Sequence, residues 1–577
     1  MIVDATVVVQ SVLNAAEAIG QFGVSQIAGL LGMANWRGWQ RARILSADSE
    51  FCRVLLPEYS QEETVASVKV IPRLPRALID RAIAACGVRY DLPREIKHAA
   101  LALETNAART RADRTQALVQ ELVETTFPIP VSGTNITVSP RPLTLSPRGD
   151  GTTAMRVDGL VEPEVEFALH HAGSDIREGI VRFGSFEHEP RDIELVPICA
   201  PNQIDNMRAL IERLRSGKLK YRGAERTFST KLVYNAVVPA EPAQAEQECR
   251  RLLDQHPSWA GDTSLPRLFL VHCPEHDHAL DDETAPYYTI KRLLFESGVP
   301  CQMVDTPTLI NPDYKDLNLA LNIVAKCGLA PWVLPGSIPD ADFFVGLSYT
   351  QSSRGPGERL MGFANVFNEY GRWQFYSGGT HTFAYDERAQ HYEQLVESTL
   401  SRLTLSEAPT ICFHYSAKFS TDDRTAILRA ARRVRPQGRY LFVWINTQHH
   451  VRLYDSRPET DGSVARGRYV IAGKNQIYLS TTGYNPYRKT IGTPHVLQLT
   501  VRIETPGDPS GATPDLRVLA IQILSLTKLN WASTDSLCAE PITTKYAGDI
   551  AYLTAAFMRQ GREFKLHDAL EHTPWFI

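Results

Sequence analysis

No two cysteines in this chain are spaced as CxxC, and the nine present (52, 86, 199, 249, 273, 301, 327, 412 and 538) are scattered and odd in number. That pattern excludes a zinc ribbon or a secreted disulfide framework and points to reduced thiols in a cytoplasm. A basic balance is also missing, since the formal net charge of −4 argues against general coating of nucleic acid. Charge therefore has to be read locally. The apolar stretch within residues 1–43 is broken by Asp4, Gln10, Asn14 and Glu17 and lacks a basic leader, so it predicts neither a signal peptide nor a membrane span.

What is present is a globular composition, 43% apolar and 22% charged, over 577 residues. That length suits three or four domains. Residues 1 to about 45 read as short helices, with Ser25 as an N-cap. With Trp36, Arg37, Trp39, Arg41 and Arg43 following, they leave open a helix-turn-helix that reads DNA or a helical packing module with a basic rim. Residues 50–72 alternate as strands do, and residues 75–127 read as mostly helical. From 127 to 151 proline and glycine are too dense for a helix and mark a boundary, with GDGTT at 149–153 read as a turn.

Beyond residue 180, strands and helices alternate: IELVPICA, a helix from Asn202 to Leu214, LFLVHC, then YYTIKRLLF. This is the rhythm of a doubly wound parallel sheet. The run His272-Cys273-Pro274-Glu275-His276 reads as a strand end ahead of a metal site. A second α/β unit opens near Asp340, with strands at 342–350, 410–416 and 440–446, two more within 357–379, and helices at 386–403 and 421–434. The segment from Lys418 to Arg439 carries seven cations against Asp422 and Asp423, including Arg429, Arg432 and Arg433, a composition suited to a phosphate backbone.

Tyr287 and Lys291 are one helical turn apart and share a face. Gln302 opens the next strand, and Lys326 lies on a second amphipathic helix. Together they predict a small cationic pocket capped by a ring, suited to a terminal nucleotide.

In the order in which they occur, these stretches resemble the MID and PIWI domains of prokaryotic Argonautes. Asp175–Gly179 with Val181–Phe186 resembles the entry into MID. Tyr287, Lys291, Gln302 and Lys326 resemble the pocket for a guide's 5′-phosphorylated end, and Asp342–Tyr349 the first PIWI strand. LTKLNWASTD and EPITTKYAGDIAYL resemble the closing helices, which adds Lys528 and Asn530 to the candidate backbone contacts. The resemblance implies an α/β fold in which a Rossmann-like MID domain (181–339) and a ribonuclease H-like PIWI domain (340–577) follow a mainly helical N-terminal module (1–127) and a linker region (128–180). It also implies a magnesium ion at the guide 5′-phosphate, completed by the terminal carboxylate of Ile577.

Slicing relatives hold two metal ions with carboxylates. At the matching positions this chain has Ser348, Asn446 or Thr447, and Gly548, which predicts a PIWI domain that does not cut. The alternative is an active nuclease with relocated carboxylates, drawn from Asp342, Asp455 or Asp549. No PAZ domain is evident, which resembles the short Argonautes. Their partners carry an APAZ region with a TIR or SIR2 NADase or a nuclease. The expectation is a cytoplasmic, guide RNA-loaded sensor of single-stranded DNA, independent of membranes, that activates such an effector against plasmids or phage.

Overall fold

The computed structural model describes residues 28–36, 39–48, 50–56, 61–72, 108–131, 134–137, 155–259, 262, 264–273, 286–351, 360–457, 460–483, 493–507, 513–535, 538–559 and 564–577. The chain divides into two compact units, Met1–Asn106 with Ser353–Glu358, and Ala107–Ser352 with Arg359–Ile577. Among the described residues, no helix is long and apolar enough to cross a membrane.

The first unit holds an antiparallel sheet in the order Gln61–Ala66, Phe51–Leu56, Trp39–Ala47, Leu31–Asn35, Val70–Pro72. Cys52, Val54 and Leu56 are buried while Phe51 and Arg53 face out, the period of two that a half-buried strand requires. The expected helices up to residue 45 are corrected here from Leu31 onward, and with them any helix-turn-helix over that stretch. The reason is visible in Ala42 and Ile44, which bury on one face with Arg43 exposed between them. A register shift between Ile44 and Ser46 then brings Ala47 inward, which hides the alternation from a short sequence window. The helices expected before residue 28 and within 73–107 lie outside the described residues.

The second unit starts with the helix Ala108–Thr125. The GDGTT turn falls outside the described residues. Part of the stretch read as a linker has a structural place, because Arg156–Gly159 pairs antiparallel with Arg468–Ile471 at the edge of the large sheet.

The MID part is a parallel sheet in the order Thr230–Val233, Arg191–Cys199, Arg267–His272, Cys301–Val304, with Val238–Pro239 alongside the end of Arg191–Cys199. Leu268 through Val271 are all fully buried, as expected for strands covered on both faces by helices. His272 closes its strand, with Nε2 3.0 Å from Thr306 Oγ1.

The PIWI part is a nine-stranded sheet. Its first five strands run Trp373–Phe383, Leu360–Asn368, Phe343–Gln351, Thr410–Tyr415, Arg439–Asn446. The first three are antiparallel and the last three parallel, the ribonuclease H-like arrangement. Helices Arg388–Ser401 and Thr421–Val434 cover one face. The second begins at a capping box in which Ser420 and Asp423 exchange hydrogen bonds. Ile542–Arg559 packs on the other face, where the Thr543 carbonyl accepts from Asn365 Nδ2 and its hydroxyl lies 2.8 Å from His414 Nδ1. A Cβ on Gly346 would fall 2.3 Å from that carbonyl oxygen, so the close approach of helix to strand requires glycine. One hydrophobic cluster runs from MID into PIWI, and two indoles tie them. Trp332 donates to the Lys528 carbonyl at 2.9 Å and Trp531 donates to the Trp332 carbonyl at 3.1 Å.

Candidate functional site

Tyr287, Lys291, Gln302, Lys326 and Ile577 line one cavity of about 530 Å³ in the MID part. It lies beside Cys273, Val304 and Asp305, at the carboxyl ends of two parallel strands, where such sheets bind ligands. Helix Pro286–Glu296 sets Tyr287 and Lys291 one turn apart, with Lys291 Nζ 4.5 Å from the centre of the Tyr287 ring. Lys326 is the last residue of helix Asp316–Lys326, and its Nζ reaches the Cys301 carbonyl at 3.0 Å and Gln302 Oε1 at 2.7 Å. Gly298, at φ 75°, makes the turn that brings the Cys301–Val304 strand back beneath both helices.

Both ammonium groups are nearly inaccessible to solvent, and among the described residues neither is ion-paired with a carboxylate. Burial, and then the Lys291 cation, push Lys326 down to about 7. Burial also works against the Lys291 charge, but the Tyr287 hydroxyl, Cys301 and Asp549 outweigh it and hold Lys291 above its ordinary value. A buried cation is costly without a compensating negative charge. Two of them facing one cavity suit an anion with several oxygens, and the Tyr287 ring beside them offers a flat surface.

The same cavity contains an acceptor that sequence reasoning missed. Asn322 Oδ1 is buried and accepts no hydrogen bond. A neutral amide oxygen of this kind is a hard-cation ligand, so the donor set fits the magnesium ion that the resemblance implies. Gln302 Oε1 is already engaged by Lys326, which leaves Asn322 and Ile577 as the oxygen-bearing residues for such an ion. The signal was in the spacing, because Asn322 sits one turn before Lys326 on the same face.

The candidate backbone contacts are not brought together in this way. Lys528 is fully buried, donating to Glu162 Oε1 at 2.8 Å and to the Ser174 carbonyl at 2.6 Å, so its charge is spent inside the fold. Asn530 is buried and its Oδ1 accepts from the Ala532 amide. Arg429 pairs with Glu393, and Arg433 with Glu393 and Glu397, across the two PIWI helices. Lys418 and Arg432 are exposed.

Ser348 lies near the end of the central PIWI strand, and Asn446 ends a strand that is not its neighbour. Thr410–Tyr415 runs between them, so the two are separated by two strand spacings, roughly 10 Å. Two metal ions about 4 Å apart are most directly shared by side chains on neighbouring strands. Continuing the pairing of Gly346 with His414 by two residues sets Ser416 beside Ser348. Ser416 is therefore a second candidate beside Asn446 or Thr447 for that position, and it too is not acidic. Gly548 is exposed, with nothing within 4 Å of where a Cβ would stand.

No protein-family profile matches the sequence. Similarity to curated proteins falls on two named "Protein argonaute". The one from Aquifex aeolicus is 24% identical over 318 residues, covering 54% of this chain and 41% of the relative. The one from Cereibacter sphaeroides is 24% identical over 474 residues, covering 72% of this chain and 58% of the relative. The chain thus spans about half the length of these relatives. Among solved structures, Clostridium butyricum Argonaute bound to a guide DNA and a 19-mer target DNA superposes with a TM-score of 0.68 at 14% identity, over 97% of this chain and 76% of that one. The fold is the Argonaute fold. An Aquifex aeolicus Argonaute with externally bound siRNA agrees at a TM-score of 0.58 and 15% identity, over 91% of this chain and 66% of that one. The smaller parallel sheet spans residues 191–304 of this chain and the nine-stranded sheet with its last helix spans 343–559, with Arg156–Gly159 added at its edge.

Proposed function

We propose that the chain binds the 5′-phosphorylated end of a short guide in the Lys291–Lys326 cavity and recognises complementary nucleic acid without cutting it. The observation that carries this reading is the pair of buried ammonium groups beside the Tyr287 ring, neither ion-paired among the described residues. Lys291, Lys326 and Gln302 would grip the phosphate oxygens, and Tyr287 would stack on the first base. A magnesium ion, held by Asn322 Oδ1 and the Ile577 carboxylate, would add positive charge at the phosphate. On the strength of the resemblance, the guide is RNA and the target single-stranded DNA. Base pairing would then supply sequence specificity, with the protein reading backbone and shape.

The silent PIWI rests on Ser348 and on Ser416, one residue past the neighbouring strand Thr410–Tyr415, hydroxyls where anionic oxygens would be needed to hold two metal ions. The output is then a conformational signal to a partner effector with an APAZ region, carrying a TIR or SIR2 NADase or a nuclease. The deciding experiment compares a labelled 5′-phosphorylated guide with its 5′-hydroxyl counterpart on wild type and on Lys291→Ala with Lys326→Ala. Preference for the phosphate should disappear in the variant, and equal preference in both proteins would remove the assignment. Incubating the loaded protein with complementary target and manganese tests silence, since any guide-dependent product means relocated carboxylates are at work.

A further inference from the structure

Of the exposed large apolar side chains of the second unit, Leu219 (62% exposed) and Tyr314 (72%) lie on two adjoining loops, and Ile310 (61%) ends the helix Thr306–Ile310 that leads into the second. Lys218 Nζ, next to Leu219, is 3.6 Å from Asp313 Oδ1, next to Tyr314, so the loops meet there. Leu219 and Tyr314 both adopt left-handed backbone conformations, φ 59° and 66°, which bulky side chains rarely take. Strain of this kind persists only where the surroundings impose it.

The surroundings do so in both loops. Residues 217–223 close on themselves so tightly that a Cβ on Gly217 would lie 2.3 Å from the Gly223 nitrogen. Tyr221 is buried beneath, donating to the Leu214 carbonyl at 2.8 Å. In the second loop Asp313 is held by Arg213 at 2.8 Å, and the Lys315 and Asp316 amides both donate to the Pro312 carbonyl. Two rigid supports therefore hold a leucine and a tyrosine out into water. Lys218, Lys220 and Lys315 are exposed around them, while Asp313 is taken up by Arg213 and Lys218.

We propose that this face docks a protein partner presenting an apolar cleft rimmed by carboxylates. The backbone that carries Leu219 and Tyr314 is fixed in advance, so its ordering cost on binding is small. The three lysines supply the complementary charge. A phosphate backbone would have no use for the leucine, and the docking face stands independently of the guide-binding proposal.

The test is a peptide-display selection on the whole chain, the selected peptides then being measured against wild type and against Leu219→Ser, Tyr314→Ser. Expected are peptides that combine Asp or Glu with aromatic or aliphatic residues and bind the double variant at least tenfold more weakly. Leu219→Gly separates docking from folding, because glycine relieves the left-handed strain. That variant should melt at a higher temperature than wild type and still lose the peptide. The proposal is overturned if selected peptides bind the double variant as tightly as wild type or lack acidic residues. Leu219-dependent binding of phosphatidylserine vesicles or of a 15-nucleotide single strand would overturn it as well, by assigning the face to lipid or nucleic acid.

Discussion

Lys326 Nζ lies 2.7 Å from Gln302 Oε1 and 3.0 Å from the Cys301 carbonyl, so among the described residues the most deeply buried ammonium of the MID cavity is held by neutral oxygens. Removing it along with Lys291 should cost two charge-assisted contacts to a guide phosphate, about 1.5–3 kcal/mol each. Affinity for a 5′-phosphorylated guide should then fall by two or more orders of magnitude, with little change for a 5′-hydroxyl guide. Tyr287→Ala should weaken both guides alike, by about 1–3 kcal/mol for one lost stacking contact. Filter binding of the four combinations separates the phosphate grip from the stack.

The pH dependence has a definite sign. Lys326 in the free protein sits at about 7, below its ordinary 10.5. Between those values the unfolded chain binds a proton that the folded chain does not, so this group's contribution to stability rises with pH from 7 to 10.5. A bound phosphate reverses the preference, because it favours the charged lysine. The phosphate carries its second charge above about pH 6. Selectivity for a 5′-phosphate should therefore be greatest between about pH 6 and 7 and decline above 7, by up to roughly tenfold per unit. Affinity measured from pH 6 to 9 checks this, and a flat profile would mean that Lys326 does not meet the phosphate.

Metal removal should act through Asn322. If its buried Oδ1 helps hold magnesium, chelation by EDTA weakens guide binding in the wild type but leaves Asn322→Leu, already weaker, unchanged. Titration with magnesium should restore the first protein only. Equal sensitivity of both proteins to EDTA would place the ion elsewhere.

Glu162 is the single carboxylate serving two buried cations. It receives Arg466 Nε at 2.8 Å and Lys528 Nζ at 2.8 Å, with Arg466 only 3% and Lys528 0% exposed at the side chain. Breaking a buried pair by removing one partner costs about 3–5 kcal/mol. Glu162→Gln should lower the melting temperature clearly while keeping the preference for phosphorylated guides, and Lys528→Met added to it should recover part of the loss. The same contacts explain why Lys528 misled as a backbone-binding residue. Sequence shows a lysine in a polar stretch, whereas Glu162 lies 366 positions away.

The periodic elements were legible for a physical reason. Thr421–Val434 coincides with the helix expected there, and the MID strands are continuous apolar runs because both of their faces are covered. Tyr287 and Lys291 could be paired from helical spacing alone. Gln302 and Lys326 joined them from the next strand and a second amphipathic helix, and the cavity brings all four together. Other features depend on distant pairing. The strand Arg156–Gly159 is four residues long and finds its partner over 300 positions later. Ser416, one residue past Thr410–Tyr415, becomes a neighbour of Ser348 only when the register between that strand and Phe343–Gln351 is extended by two residues, which no local pattern encodes.

That register also sets the sharpest test of the silent PIWI reading. Adjacent parallel strands are about 4.8 Å apart, so carboxylates at 348 and 416 would share a metal ion, whereas carboxylates at 348 and 446 would not. Ser348→Asp with Ser416→Asp should gain manganese binding by calorimetry, and Ser348→Asp with Asn446→Asp should not. Gly548→Asp should fold as well as wild type, because its Cβ has open space. Added to the first pair, it supplies a third carboxylate from the helix that packs on the central strand. If wild type already binds manganese at this pole, or the 348/446 pair binds it better than the 348/416 pair, the strand assignment and the argument for silence both fail.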